Sequence, residues 1–359
     1  MNYNILNEDF NKVLELIELE ETILTLLDGK QKNLYKKAIH KNVIIELYTF
    51  WENFVKNIIY STYTNYKKLI INERFLKKYF KQINENSYVR KKFLENINEN
   101  VIEITIETLC HSNNLNDSVL RQLLGRINFD VTDLDKHIDS SESLKNSIEE
   151  LKASFIKPIK REEINEDSLE ESYQVTPEKE QTITELRFLD QVNNYLYTLI
   201  ELRNEVSHSY NITEIYNLYD LKMLAKFIFE LCVIVLEFIG SQLIKKSISS
   251  NQDVIHRLYP IKVFKNSSSG LCIVGINNFT REIIEVEEYL FMYSRGKKIY
   301  KFAKIESIKS NEDFINELLP YHTAALKLKT DAVIRSEHKT FHLYSLKSFE
   351  DEFEYKLIL

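Results

Sequence analysis

Leu199-Ile200-Glu201-Leu202-Arg203-Asn204-Glu205-Val206-Ser207-His208 is the stretch that decides how this chain is read. On an ideal helix each residue turns the side chain by about 100°. With Arg203 at zero, Asn204 falls at about 100° and His208 at about 140°, while Tyr195, Leu199, Leu202 and Val206 gather between about −40° and −100°. The spacing predicts a two-faced helix whose apolar stripe meets a bundle and whose other side carries Arg203, Asn204 and His208. Three polar groups so placed are not core filling. They converge on something outside the core, such as a phosphate or a second subunit.

The rest of the first 250 residues has the same helical grain. Among 359 residues there are only 6 Gly and 4 Pro, which favours long uninterrupted helices. Apolar spacing predicts a first helix over 5–27, stopped at Asp28-Gly29, and an antiparallel partner from Lys32 to about Tyr66. Shorter helices are expected at 73–83, 88–110, 116–125 and 133–154, and two long ones at 178–210 and 216–247, the former holding the quoted stretch. Between residues 157 and 179 the periodicity lapses into Pro158, Pro177 and a run including Glu162, Glu163, Glu166 and Asp167. It reads as a flexible acidic linker.

After Ser247–Asn251 the pattern changes to short β-branched and aromatic runs. Strands are expected at 261–264, 271–276, 283–293, 299–308, 332–335 and 340–346, with one helix near Asp313–Leu319. The fold class is therefore mainly α: a helical domain over 1–250, then a smaller α+β or β-barrel-like domain over 251–359.

Composition removes several function classes. The net charge of −7 argues against a protein that coats nucleic acid by bulk electrostatics, so any RNA contact is local. Residues 255–359 carry 16 Lys+Arg against 14 Asp+Glu, so the acidity belongs to the helical part. Cys110, Cys232 and Cys272 lie far apart without metal-ligand spacing and read as core residues of a reducing cytoplasm. The start, MNYNILNEDF, has no basic region leading into an apolar core, so no signal peptide is expected. The apolar window Phe227–Ile244 is interrupted by Glu230 and Glu237, which predicts a buried core or subunit-contact helix and no membrane span. No cofactor or metal is expected, because GxGxxG, phosphate-loop GK[ST] and HExxH motifs are all missing.

Arg203, Asn204 and His208 are the residue types that RNA cleavage without a metal requires. The reaction needs a base for the 2′-hydroxyl proton, an acid for the leaving 5′-oxygen, and a fixed cation for the developing charge on phosphorus. Histidine serves as base or acid near neutral pH, arginine forks onto phosphate oxygens, and asparagine orients ring or phosphate. One histidine does not easily make both transfers, so the chemistry predicts a homodimer with two copies of the motif across a twofold axis. By itself an Arg with a His five residues on is common, and fits an exposed helix end better than a catalytic site.

The context is more specific. Arg203–His208 resembles the signature of the HEPN superfamily of helical ribonucleases: Arg, a polar residue, three variable residues, His. Leu47-Tyr48-Thr49-Phe50-Trp51-Glu52-Asn53-Phe54-Val55-Lys56 looks like the Tyr-x-x-Trp-Glu-x-Phe-x-Lys helix of the bacterial MAE-type HEPN-like branch. Ser112–Leu120 is similar to the Asn-Leu-Asn stretch between these elements. Together the landmarks cover about residues 1–245. The resemblance implies a bundle dimerising through its motif helices and a metal-independent endoribonuclease leaving a 2′,3′-cyclic phosphate, in a toxin–antitoxin or phage-defence setting with an antitoxin or partner protein. It assigns proton transfer to His208, phosphate binding to Arg203 and positioning to Asn204. Ser207 and Ser209 depart from the Ala and Gly that commonly flank the histidine. Glu52 and Lys56, four apart, make an ordinary ion pair or support the active site, and Trp51 suits packing.

Weaker signals stay open. Arg295, Lys297, Lys298 and Lys301 alternate with Tyr293, Tyr300 and Phe302 around an expected hairpin, which is either an RNA-binding strip or a solvated hairpin with its aromatics inward. His338 and His342 share a strand face without a third ligand. Glu337-x-Lys339 and Glu354-x-Lys356, near Asp331, echo half of a metal-dependent nuclease site. Alternatives to the ribonuclease are thus a catalytically silent HEPN scaffold and a metal-dependent nuclease.

Overall fold

A computed structural model describes residues 3–98, 104–154, 156, 187–208, 215–250, 256–266, 271–280, 282–294, 298–330 and 343–345. The expected linker at 157–179, Arg295 and Lys297, the 332–335 strand, the His338/His342 pair and both ExK motifs lie outside the described residues.

Eleven helices are found among the described residues. α1 (Tyr3–Thr25) and α2 (Gly29–Asn65) are the expected pair, joined where Gly29 takes a φ of +56°. That left-handed conformation suits a residue without Cβ. α3 (Lys67–Ile70), α4 (Glu73–Glu85), α5 (Ser87–Asn98), α6 (Ile106–Leu109), α7 (Asp117–Arg126), α8 (Thr132–Asp139) and α9 (Glu142–Lys152) follow. The helix expected over 133–154 is two: the chain breaks at Ser140-Ser141, where the Ser141 hydroxyl accepts from Leu144 N–H at 3.2 Å and caps α9. The 88–110 helix also divides, into α5 and α6.

α10 (Phe188–His208) carries the motif, and α11 (Leu218–Ser250) is the central element. α11 is long and apolar enough to cross a membrane, but 89% of its most apolar window is buried inside the protein. A helix apolar all round must be covered all round. Phe10 of α1 stacks on Phe229 at 4.4 Å, Tyr195 of α10 meets Phe227 at 5.9 Å, and Phe129, next to α8, meets Phe238 at 6.2 Å.

Strands follow: β1 (His256–Asn266), β2 (Leu271–Asn277), β3 (Ile284–Glu285), β4 (Tyr289–Ser294), β5 (Ile299–Ser310), β6 (Asp313–Ile315), β7 (Glu317–Leu318), β8 (Thr323–Lys329) and β9 (Leu343–Ser345). The ring β4-β9-β1-β2-β8-β5 closes because β5 also pairs with β4, which makes a six-stranded antiparallel barrel. Closure removes the exposed strand edges. Its interior holds Leu258, Val274, Ile276, Met292, Ile305 and Leu326. The expectation of a helix at Asp313–Leu319 was wrong. Asn311 (φ 49°) and Glu312 (φ 77°) form a tight turn that returns β5 onto β6, with Ser310 opposite Asp313. Two successive positive φ values are those of a hairpin turn, and strand pairing overrides the local helical preference.

The barrel docks on α11 through β5. Glu237 Oε1 accepts from Phe302 N–H at 2.8 Å, and Ser241 Oγ accepts from Tyr300 N–H at 3.3 Å. The Phe291 ring lies against Gly240, where an added Cβ would come within 2.1 Å of it. Lys301 is 2% exposed and its ammonium donates to the Ser140 carbonyl at 2.8 Å. Lys301 therefore does not belong to a surface strip for RNA. Of the expected strip, Lys298 is exposed, while Tyr300 turns inward against the helices. His137 of α8, fully buried, sits 3.7 Å from Glu237, beyond hydrogen-bond reach, and burial holds its pKa below the ordinary 6.5.

Gly240→Val should overpack this seat and destabilise the protein by about 1–3 kcal/mol, read as a lower urea midpoint. An unchanged midpoint would show that the Phe291 contact is dispensable. For pH, the sign follows from His137: its folded pKa lies below its unfolded one, so the unfolded chain binds the proton more readily. Its stabilising contribution is whole above pH 6.5 and shrinks as pH falls from there, by at most about 1.4 kcal/mol per unit. Thermal unfolding between pH 7.5 and 5.5 should lose part of this slope in His137→Phe.

Candidate active site

The apolar stripe read from the sequence is the buried face of α10: Tyr195, Leu199, Leu202 and Val206 are each 5% exposed or less. Arg203 and Asn204 are half-buried, and His208 is exposed in the last turn. Arg203 does not hang free. Its guanidinium carbon lies 4.9 Å from the centre of the Tyr48 ring, and its Nη1 donates to Asn204 Oδ1 at 3.1 Å. The aromatic face attracts the cation while the amide fixes the plane of the fork.

Tyr48 is itself anchored. It is buried in α2, and its hydroxyl accepts from Leu115 N–H at 3.2 Å. Trp51, one turn on, donates its indole N–H to the Leu115 carbonyl at 2.9 Å. Both backbone polar groups of the fully buried Leu115 are thus satisfied by α2, and neither has water to turn to. Burial pushes the Tyr48 phenol above its ordinary pKa, so it stays a neutral hydroxyl. The three separated stretches of the sequence therefore meet: Leu47–Lys56 grips Ser112–Leu120 with one side of Tyr48 and carries Arg203 on its ring.

Glu52 and Lys56 form the expected ion pair at 2.8 Å, half-buried, and among the described residues no hydrogen bond or ion pair joins them to Arg203, Asn204 or His208. Lys56 also offers its carbonyl to the Cys110 thiol at 3.5 Å, and burial raises that thiol to a pKa of about 12. Cys110, Cys232 and Cys272 are free and buried. His40, buried in α2, accepts from Tyr216 N–H at 3.2 Å just before α11, and burial lowers its pKa against the opposing field of Glu205. No group of three or more His, Cys, Asp or Glu gathers as for a metal among the described residues.

Tyr48 and His40 were not read as site residues from the sequence. Tyr48 stood inside a quoted landmark, three residues before Trp51 and so on the same face, which is the signal that could have marked it. His40 carries no comparable mark, because its partner lies 176 residues away.

Across its first two thirds, residues 4–241, the chain matches the model of the RiboL-PSP-HEPN family. A helical bundle of the HEPN class is thereby defined, and the chain belongs to the RiboL-PSP-HEPN family. The finer MAE-type branch is not part of that match. No curated protein and no solved structure matches the chain. Membership supports RNase activity or nucleotide binding as the general class of function.

Tyr48→Phe keeps the ring under Arg203 but strips Leu115 N–H of its partner, and should destabilise by about 1–3 kcal/mol. Tyr48→Leu should lose that and the ring contact. In a double-mutant cycle with Arg203→Ala, Tyr48→Leu should couple by about 0.5–1 kcal/mol and Tyr48→Phe by nearly nothing, measured by urea unfolding. Equal coupling for both would refute the ring contact.

Proposed function

We propose that this protein is an endoribonuclease that cuts RNA by transesterification as a homodimer, with Arg203, Asn204 and His208 as its working residues. The 2′-oxygen attacks the adjacent phosphorus, the bond from phosphorus to the 5′-oxygen breaks, and the products are a 2′,3′-cyclic phosphate and a 5′-hydroxyl. One copy of His208 takes the 2′-hydroxyl proton and the other protonates the departing 5′-oxygen. Arg203 holds the non-bridging oxygens as charge builds on them. Asn204 keeps the guanidinium oriented. This donor set needs no metal ion to complete the proton transfers.

The observation that carries the reading is the pre-set arginine: a cation held on a buried ring and by the neighbouring amide, on the helix whose last turn exposes a histidine, in a HEPN family chain. A guanidinium already in place loses little side-chain freedom when phosphate binds. The setting proposed is the cytoplasm, as a toxin or phage-defence effector held in check by an antitoxin or other partner protein.

In excess EDTA the purified full-length dimer should cleave RNA to cyclic-phosphate ends, and His208→Ala should lower the rate by about 10²–10⁴-fold with the fold intact by circular dichroism. Arg203→Ala should lower it comparably, and Arg203→Lys should restore little, because an ammonium lacks the planar fork. Undiminished cleavage in His208→Ala, or full activity in a strictly monomeric protein, would overturn the mechanism. A folded dimer that cuts no RNA would be a scaffold.

A further inference from the structure

The loop that Tyr48 and Trp51 hold by its Leu115 backbone also walls a cavity of about 330 Å³ that the chemistry above does not use. Five carboxamide side chains line it: Asn86, between α4 and α5, and Asn113, Asn114, Asn116 and Gln122 from the loop and α7. Such a density of one functional group is not what turn formation alone requires. Asn86 and Asn116 do have local work, accepting from Val89 N–H at 3.0 Å and from Val119 N–H at 2.9 Å. Those bonds use their oxygens and leave their amide N–H groups as donors. Among the described residues, Asn113, Asn114 and Gln122 make no side-chain hydrogen bond and the buried Ser112 hydroxyl beside them has no partner.

The remaining walls set the character of the ligand. His111 stacks on Tyr88 with ring centres 4.5 Å apart and planes at 21°, and Tyr88 is 44% exposed. Burial, then the charges of Arg126 and Lys56, lower the His111 pKa, so its ring is neutral at pH 7. Arg126 is the lining's permanent charge, and it is fixed from behind: its Nη1 donates to the carbonyls of Leu109 and His111, each at 2.9 Å. No carboxylate is found among the described residues that line the cavity. Free amides, which present donor and acceptor side by side, match the edges of a nucleobase. A flat neutral ring on an exposed tyrosine extends a stacking surface, and a lone arginine suits the phosphate joined to that base.

We propose that this cavity is a recognition subsite for one unpaired nucleobase of the RNA substrate. The inference rests on the ribonuclease reading above and deepens it. Arg203 and the histidines act on any phosphodiester, so selectivity must come from elsewhere. Leu115, in the loop that walls the subsite, bonds Tyr48, whose ring carries Arg203, so the subsite and the phosphate-binding side chain share one support.

The test uses full-length His208→Ala protein, which separates binding from cleavage, and 5′-fluorescein-labelled rA₈, rC₈, rG₈ and rU₈ read by fluorescence anisotropy. One homopolymer should bind about ten-fold or more tighter than the weakest, and Asn114→Ala with Gln122→Ala should erase that preference. Arg203→Ala should weaken all four alike. The single variant Gln122→Ala, at an exposed position, provides the same readout if the double variant is poorly folded. Equal affinity for all four, or a preference untouched by both variants, overturns the proposal. Competition by the free nucleoside monophosphates as strong as by the oligomers would also overturn it, by making the ligand a free nucleotide. Base preference in a protein that never cleaves RNA would sink the ribonuclease reading and leave the subsite standing.

Discussion

Everything in this molecule is arranged around the need to bury α11. Thirty-three residues with almost no polar face cannot rest against a single neighbour, so α1, α2, α3, α8 and α9 share its circumference with the barrel. Burial of each large apolar side chain stabilises by about 1.5–3 kcal/mol, and α11 contributes more such side chains than any other helix. The motif helix α10 packs chiefly on α2 and meets α11 through Tyr195 and Phe227. Its outward polar strip is what remains after the stripe of Tyr195, Leu199, Leu202 and Val206 has been spent on the core.

One of the two glutamates in α11 that speak against a membrane span is also informative about assembly. Glu237 is buried and accepts from the backbone of β5, in a stretch where Gly240 admits the Phe291 ring and Ser241 takes a second backbone N–H. A buried carboxylate is tolerated only when it is bonded, and here its bond fixes the barrel on the bundle. Lys301 obeys the same rule: its ammonium is buried because the carbonyl at the break between α8 and α9 accepts it.

The candidate site shows a parallel economy around one residue. Leu115 is held by Tyr48 at its N–H and by Trp51 at its carbonyl, and the same Tyr48 ring carries Arg203. A loop that would otherwise be irregular and mobile is tied to a helix, and that helix in turn orients the phosphate-binding side chain. The RiboL-PSP-HEPN match over residues 4–241 spans all three parts.

Periodicity alone marked most of the described helices and strands, the buried face of α10, and the place of α11 inside, because solvent and core sort side chains at repeats of 3.6 and 2 residues. It failed where partners are distant. The helix expected at 313–319 became strands because β5 was available to pair with, and the basic hairpin lost Lys301 to a carbonyl 161 residues away. The roles of Tyr48 and His40, and the cavity that joins Asn86 to the 111–126 region, were likewise decided only by tertiary structure. A one-dimensional pattern reports how much water a residue avoids; which atom replaces that water depends on chain segments that the pattern does not connect.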